Sequence, residues 1–277
     1  MNAIEINNLT KSYKGFRLDG LSLSLPSGCI MGLIGENGAG KSTAIKSILG
    51  IVRPDSGGIK VFGHEISTED KSDIGVVLDD VGIPESFNVK DVNRIMKNTY
   101  TSWDEAQYNN YIKGFRLPEK KKFKEFSKGM KMKLGIAIAL SHDAKLLILD
   151  EPTSGLDPLV RDEIVDILHD FTRDENHSIL ISSHIVSDLE KLCDYIAFIH
   201  NGRLMLCEEK DILLEQYGFV NITEKQLSTL DPSAVKGKKI SPYGVQAIVD
   251  RFNIPSGFDI KPITIEELFV FMSKEVQ

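Results

Sequence analysis

Eight residues near the start of the chain have the composition of a phosphate cradle. Gly35-Glu36-Asn37-Gly38-Ala39-Gly40-Lys41-Ser42 fits the pattern G-x-x-x-x-G-K-S/T in full, and Thr43 follows. Glycines at this spacing let successive backbone N–H groups curl around an anion. A helix opening at Lys41 would add its positive dipole end. Lys41 would then reach the outer phosphates of a nucleotide, and the Ser42 hydroxyl would ligate Mg2+. A second chemical group lies further on, in Leu146-Leu147-Ile148-Leu149-Asp150-Glu151. Four apolar residues make a buried strand, and Asp150 emerges at its carboxyl end, the edge at which such sheets bind ligands. Asp150 would hold Mg2+ directly or through water. Glu151, one residue on, is placed to polarise an attacking water as general base.

The elements that must position these groups are legible as alternating apolar runs and helical patterns. That texture predicts an α/β fold with a largely parallel sheet. Ile4–Ile6 and Leu18–Leu25 read as alternating strands, the second ending at the Pro26-Ser27-Gly28 turn. Ile30–Ile34, Ile74–Leu78, Leu146–Leu149, Ile179–Ser182 and Tyr195–Ile199 read as core strands. Asn201-Gly202 has the chemistry of a tight hairpin turn leading into Arg203–Cys207. Residues from about Pro84 to Asp143 are polar and helical, an insertion between two core strands, and Ser102-Trp103-Asp104-Glu105 has capping-box spacing that would open one of its helices. After Tyr217 the texture changes to a small α+β appendage, residues 218–277, in which Thr264 would cap a helix carrying Leu268, Phe269 and Phe271.

Bulk properties narrow the classes of function. The 277 residues suffice for one large domain plus such an appendage. Hydrophobic residues at 42% and charged residues at 26% are ordinary for a globular protein. A net charge of −7 argues against a surface built for nucleic acid. The run Lys120-Lys121-Lys122 with Lys124 reads as a solvated helix face. Cys29, Cys193 and Cys207 have no metal-like spacing, so reduced thiols in a cytosolic compartment are expected. The N-terminal residues lack a signal-peptide pattern, and no apolar run approaches the ~18 residues of a membrane helix. Work at a membrane would therefore need a spanning partner.

At this point the motifs resemble the ABC (ATP-binding cassette) ATPase family, over roughly residues 3 to 217. The fold this implies is a P-loop NTPase with an antiparallel β subdomain, a RecA-like core and a helical subdomain at about 84–143. Phe126-Ser127-Lys128-Gly129-Met130 occupies the place of the family's signature and is similar to the FSKGM/YSKGM forms of bacterial exporter ATPases. By that resemblance Ser127 and the Gly129 backbone contact the γ-phosphate of ATP held by an opposite subunit. Lys128 stands where glycine is usual; it either adds charge near that phosphate or points to solvent. Ser154-Gly155-Leu156-Asp157-Pro158 resembles the D-loop, with Asp157 crossing the dimer interface and also suited to cap the following helix. Ser182-Ser183-His184 follows a strand as the switch histidine does, so His184 would bond the γ-phosphate and support Glu151. Tyr13 takes the place of the ring under adenine, with Phe16 as its rival. Asp79 stands where the family usually has glutamine. It would ligate Mg2+, unless its short side chain reaches the metal only through water.

The resemblance implies an ATPase that binds ATP and Mg2+ at the interface of two such subunits, identical or related. A membrane-spanning permease would be a third partner, with no nucleic acid. It would then lie at the inner face of the cell membrane and power export of peptides, antibiotics or other amphipathic compounds. The competing function is a non-transport ABC ATPase acting on ribosomes or DNA. Against it stand the single phosphate loop and the absence of a long heptad run. The appendage would stabilise the dimer, regulate turnover or cover the cassette's edge.

Overall fold

Alternation of apolar and polar residues over the first 26 positions produces a long antiparallel ribbon, β1 (Asn2–Tyr13) and β2 (Phe16–Pro26). In β2 the leucines at 18, 21, 23 and 25 are buried while their neighbours face outward. The computed structural model describes residues 1–242 and 244–275. β3 (Ile30–Ile34) is buried at every position and runs into the glycine-rich loop and α1 (Lys41–Ile48). β4 (Ser56–Val61) joins the free edge of β1, giving a three-stranded sheet in the order β2-β1-β4. The sequence did not announce this strand. It begins Ser-Gly-Gly, and its glycines serve a close approach: a Cβ on Gly57 would collide with the backbone of Asn8.

β5 (Ile74–Val77) is followed by the helices α2 (Val89–Thr99), α3 (Glu105–Gly114) and α4 (Lys128–Ala139). Then come β6 (Leu146–Asp150), α5 (Pro158–Phe171), β7 (Ser178–Ser183), α6 (Val186–Leu192), β8 (Tyr195–His200) and β9 (Arg203–Glu209). The central sheet has the order β5-β6-β7-β3-β8-β9, parallel except for β9. Asn201 and Gly202 both have positive φ, the tight β8–β9 turn that their sequence predicts. Two apolar layers sandwich this sheet. Met31, Leu33, Ile148 and Leu180 face the antiparallel sheet and α1. Ile34, Leu147, Leu149 and Ile181 face the helices on the other side.

Two sequence expectations are corrected. α3 opens where expected, but its cap is Asp104, whose carboxylate accepts from Gln107 N at 2.8 Å. The Ser102 hydroxyl instead donates to the carbonyl of His142 at 2.6 Å, tying the helical insertion to the loop before β6. The lysines at 120–122 and 124 lie on an exposed loop and a short 3-10 turn rather than on a helix face.

The C-terminal part comprises α7 (Lys210–Gln216), β10 (Tyr217–Ile222), α8 (Glu224–Leu227), β11 (Val235–Ser241), β12 (Gly244–Asp250) and α9 (Ile265–Glu275). Its strands form an antiparallel sheet, β10-β12-β11. Thr264 caps α9 through a reciprocal pair of bonds with Glu267. α9 packs on α6, and the Phe269 ring lies 5.2 Å from that of Phe198 in the central sheet. Ile248, Ile265 and Leu268 therefore belong to one apolar cluster with Leu189 and Phe198.

Because that cluster is continuous, the appendage should not melt as a separate unit. Leu268→Ala, at a fully buried position, should cost about 2–5 kcal/mol of overall stability. Urea unfolding followed by far-UV circular dichroism should show one transition at lower denaturant. A small early transition beside an unchanged main one would contradict the shared core.

Candidate functional site

The glycine-rich loop prepares an anion site from backbone alone. Gly38 and Gly40 adopt positive φ, 83° and 116°, which side-chain-bearing residues rarely do. Gly40 caps α1 without a side-chain hydrogen bond, and no acidic residue lies in the first turn. The first N–H groups of α1 thus have no side-chain acceptor of their own, and the helix dipole favours an anion in front of them. Lys41 is buried, and its ammonium donates to the carbonyls of Gly35 at 2.7 Å and Glu36 at 3.3 Å. It also lies 3.1 Å from Glu151 Oε1. That oxygen is buried without an aligned hydrogen-bond donor, so the contact is an ion pair only.

Sheet order explains why the acids and the histidine meet here. β7 lies between β3 and β6, with Ser183 beside Ile34 and Ser182 beside Asp150. The Ser182 hydroxyl donates to Asp150 Oδ1 at 2.6 Å and accepts from Glu151 N at 3.1 Å. Glu151 N also reaches the Ser182 carbonyl at 3.1 Å. Glu151 adopts φ 54°, a left-handed conformation that costs a glutamate energy. The surrounding bonds hold it there. Its Oε2 lies 2.6 Å from His184 Nδ1 and accepts from His184 N at 3.3 Å. A carboxylate acceptor requires the proton on Nδ1.

A cleft of about 530 Å³ collects Glu36 to Thr43, apart from Ala39, together with Asp79, Asp150 and Glu151. Ala39 is buried behind the loop. The oxygens of Ser42, Asp150 and Asp79 border this one space and are the hard donors that suit Mg2+. Among the described residues no group of three or more His, Cys, Asp or Glu could hold a metal by itself.

The remaining candidates lie elsewhere. Ser127, Gly129 and Asp157 line a second hollow of about 360 Å³ that shares no residue with the cleft. Ser127 caps α4, accepting from Met130 N at 3.3 Å, and Asp157 caps α5 with Pro158 at its first position. Tyr13 is half exposed and does not line the cleft; Phe16 does, with the two rings 6.5 Å apart. Ser182 received no role from sequence beyond preceding His184, yet it fixes both acids. The signal was present as a serine at the end of a core strand, but its partner lies 32 residues away.

The family model described as ABC transporter matches residues 18–154. The chain is similar to the lantibiotic transport ATP-binding protein SrtF of Streptococcus pyogenes, with 39% identity over 211 residues covering 75% of this chain and 91% of that protein. It is similar to the bacitracin transport ATP-binding protein BcrA of Bacillus licheniformis, with 33% identity over 293 residues covering 95% of this chain and 93% of that protein. This second likeness extends into the C-terminal part. A solved structure described as the ATP binding subunit of an ABC transporter superposes with a TM-score of 0.69 at 28% identity, covering 77% of this chain and 92% of that one.

Two substitutions test the geometry. Ser182→Ala should leave the fold intact and lower ATP turnover by roughly tenfold to a hundredfold, the usual size of a lost supporting bond. Unchanged turnover would show that the acids hold themselves. Phe16→Ala should weaken binding of a fluorescent adenine nucleotide more than Tyr13→Ala does, because only Phe16 borders the cleft; the reverse order would return the stacking role to Tyr13.

Proposed function

The chain belongs to the ABC transporter family as an ATP-binding, ATP-hydrolysing subunit, and on that premise we propose that two such subunits enclose two ATP molecules and drive a separate membrane-spanning permease. One observation carries this reading. The phosphate loop, Asp150 and Glu151 line one cleft, with His184 bonded to Glu151 behind it, while Ser127, Gly129 and Asp157 line another hollow of the same chain. A nucleotide in the cleft acquires the second group only from a partner subunit. ATP then favours the closed dimer because only that state completes its contacts.

The reaction is transfer of the γ-phosphoryl group of ATP to water. Loop N–H groups and Lys41 stabilise the charge that develops on the phosphate oxygens. An arriving phosphate competes with Glu151 for the Lys41 ammonium, now 3.1 Å from the carboxylate. Glu151 Oε1, released from that pair, is the oxygen that orients the attacking water and accepts its proton, while His184 keeps Oε2 fixed. Mg2+, held by Ser42 and Asp150, would supply further charge neutralisation at the phosphates. Asp79 borders the same space.

Among the described residues no helix is long and apolar enough to cross a membrane. The spanning part is therefore assigned to the permease, docked against the helical insertion, with this subunit at the inner face of the membrane. The relatives named for lantibiotic and bacitracin transport favour export of peptide antibiotics or similar amphipathic compounds. The C-terminal part, about residues 218–277, would brace α6, the helix that follows His184.

The test is recovery of the Glu151→Gln protein from its native cells in mild detergent with ATP. It should bind ATP, turn over at least about a hundredfold more slowly, and accumulate as closed dimers with a stoichiometric multi-helix membrane protein. Ribosomal or DNA-associated partners without a membrane component would overturn the transport reading, and normal turnover would remove Glu151 from the base role.

A further inference from the structure

Asp79 and Lys128, the two residues that depart most from the family's usual pattern, lie against each other. Asp79 Oδ1 is 3.7 Å from Lys128 Nζ. Asp79 follows β5 at the edge of the phosphate cleft, and Lys128 is the first residue of α4 at the edge of the second hollow. The two line a third hollow between them. The lysine also crosses the loop before α5: a Cβ built on Gly155 would sit 3.4 Å from its Nζ. One ammonium on the first turn of α4 therefore meets two further segments expected to surround the nucleotide.

The position is unfavourable for a cation without an anion beside it. Lys128 sits at the positive end of α4, whose first turn contains no acidic residue. Lys131 follows in the next turn, over the Phe123 ring at 4.9 Å. Lys133 is already paired, 2.6 Å from Glu163. Asp79 is the carboxylate that neutralises Lys128 in the single chain. Both side chains of the pair are well exposed, 49% and 68%, so solvent screens the attraction and exchange of partner is easy. A triphosphate presents several negative charges where Asp79 presents one.

We propose that Lys128 is a further phosphate-binding residue, directed at the nucleotide held by the opposite subunit, and that Asp79 is the internal carboxylate that holds it until that nucleotide arrives. The proposal rests on the two-subunit reading above. Asp79 then opposes ATP-driven closure and Lys128 favours it, and each depends on the other. A bystander pair, or an Asp79 that only serves a metal, lacks this dependence.

The experiment measures ATP-driven dimerisation by sedimentation in the Glu151→Gln parent, at low salt, over a range of Mg-ATP concentrations. Asp79→Asn should lower the ATP needed for half-dimerisation by roughly two- to fivefold, the size of a released surface pair. Lys128→Met should raise it by roughly tenfold or more, and Lys128→Arg should stay near the parent. In the Lys128→Met background, Asp79→Asn should no longer lower the ATP needed for half-dimerisation. At about 1 M salt, where screening acts within ~3 Å, the gain from Asp79→Asn should vanish. An equal shift from Asp79→Asn in both backgrounds, a weaker dimer from Asp79→Asn alone, or unchanged ATP dependence in Lys128→Met would overturn the proposal. If the parent itself forms no ATP-driven dimer, the two-subunit reading fails, and this proposal fails with it.

Discussion

The contact between Lys41 and Glu151 is the constraint on which the rest of the site depends. It joins the end of β3 to the end of β6, which are not neighbours, because β7 runs between them. Both side chains are nearly buried, 6% and 14% exposed, so neither charge is left to water. A buried pair of this kind is tolerable only when other bonds satisfy both members. Lys41 has two loop carbonyls, the Glu151 carboxylate has His184, and Ser182 holds the Glu151 backbone N–H. Satisfying Glu151 therefore requires β7 to end where it does, and it forces the glutamate into a left-handed backbone conformation. The parallel sheet is the framework that brings three carboxyl ends to one point.

The same geometry underlies the proposal that one chain holds only part of the ATPase site. α4 and α5 both begin at the second hollow, each with its first turn capped by its own side chain. Helix N-termini attract anions, yet these two do not open onto the cleft of their own chain. The cleft holds the loop and the acids but lacks that second set of donors. In the proposed two-subunit arrangement, complementarity of this kind makes the nucleotide part of the subunit interface. Binding energy is then spent on closing two subunits rather than on one rigid pocket.

Legibility in the sequence followed the range of the interactions. The phosphate loop, Asp150 and the hairpin at Asn201-Gly202 were readable because the chemistry is contained in a few adjacent residues. The capping of α5 by Asp157 and of α9 by Thr264 was readable for the same reason. Ser102 was misleading because its pattern is local while its bond, to His142, is tertiary. β4 was invisible because its mostly exposed face carries no alternation. Phe16 and Tyr13 are equally aromatic and pair across the end of the β1–β2 ribbon, and only their tertiary placement decides which ring borders the cleft. Ser182 had no readable role, since its meaning comes from lying in register with Asp150.

Two cations near the expected nucleotide are each paired with a carboxylate, and the difference between the pairs separates two steps. The Lys41 pair is almost dry; the Lys128 pair stands in solvent. Screening by salt acts on exposed charges and hardly on buried ones. Capture of a nucleotide by one chain therefore disturbs a contact that ionic strength barely reaches, and it displaces a buried carboxylate that must find a new role at once. Release of Lys128 disturbs only a weak surface contact, which suits a step that must reverse each time two subunits part. A chain built in this way commits to its nucleotide through a buried exchange and to its partner through an exposed one.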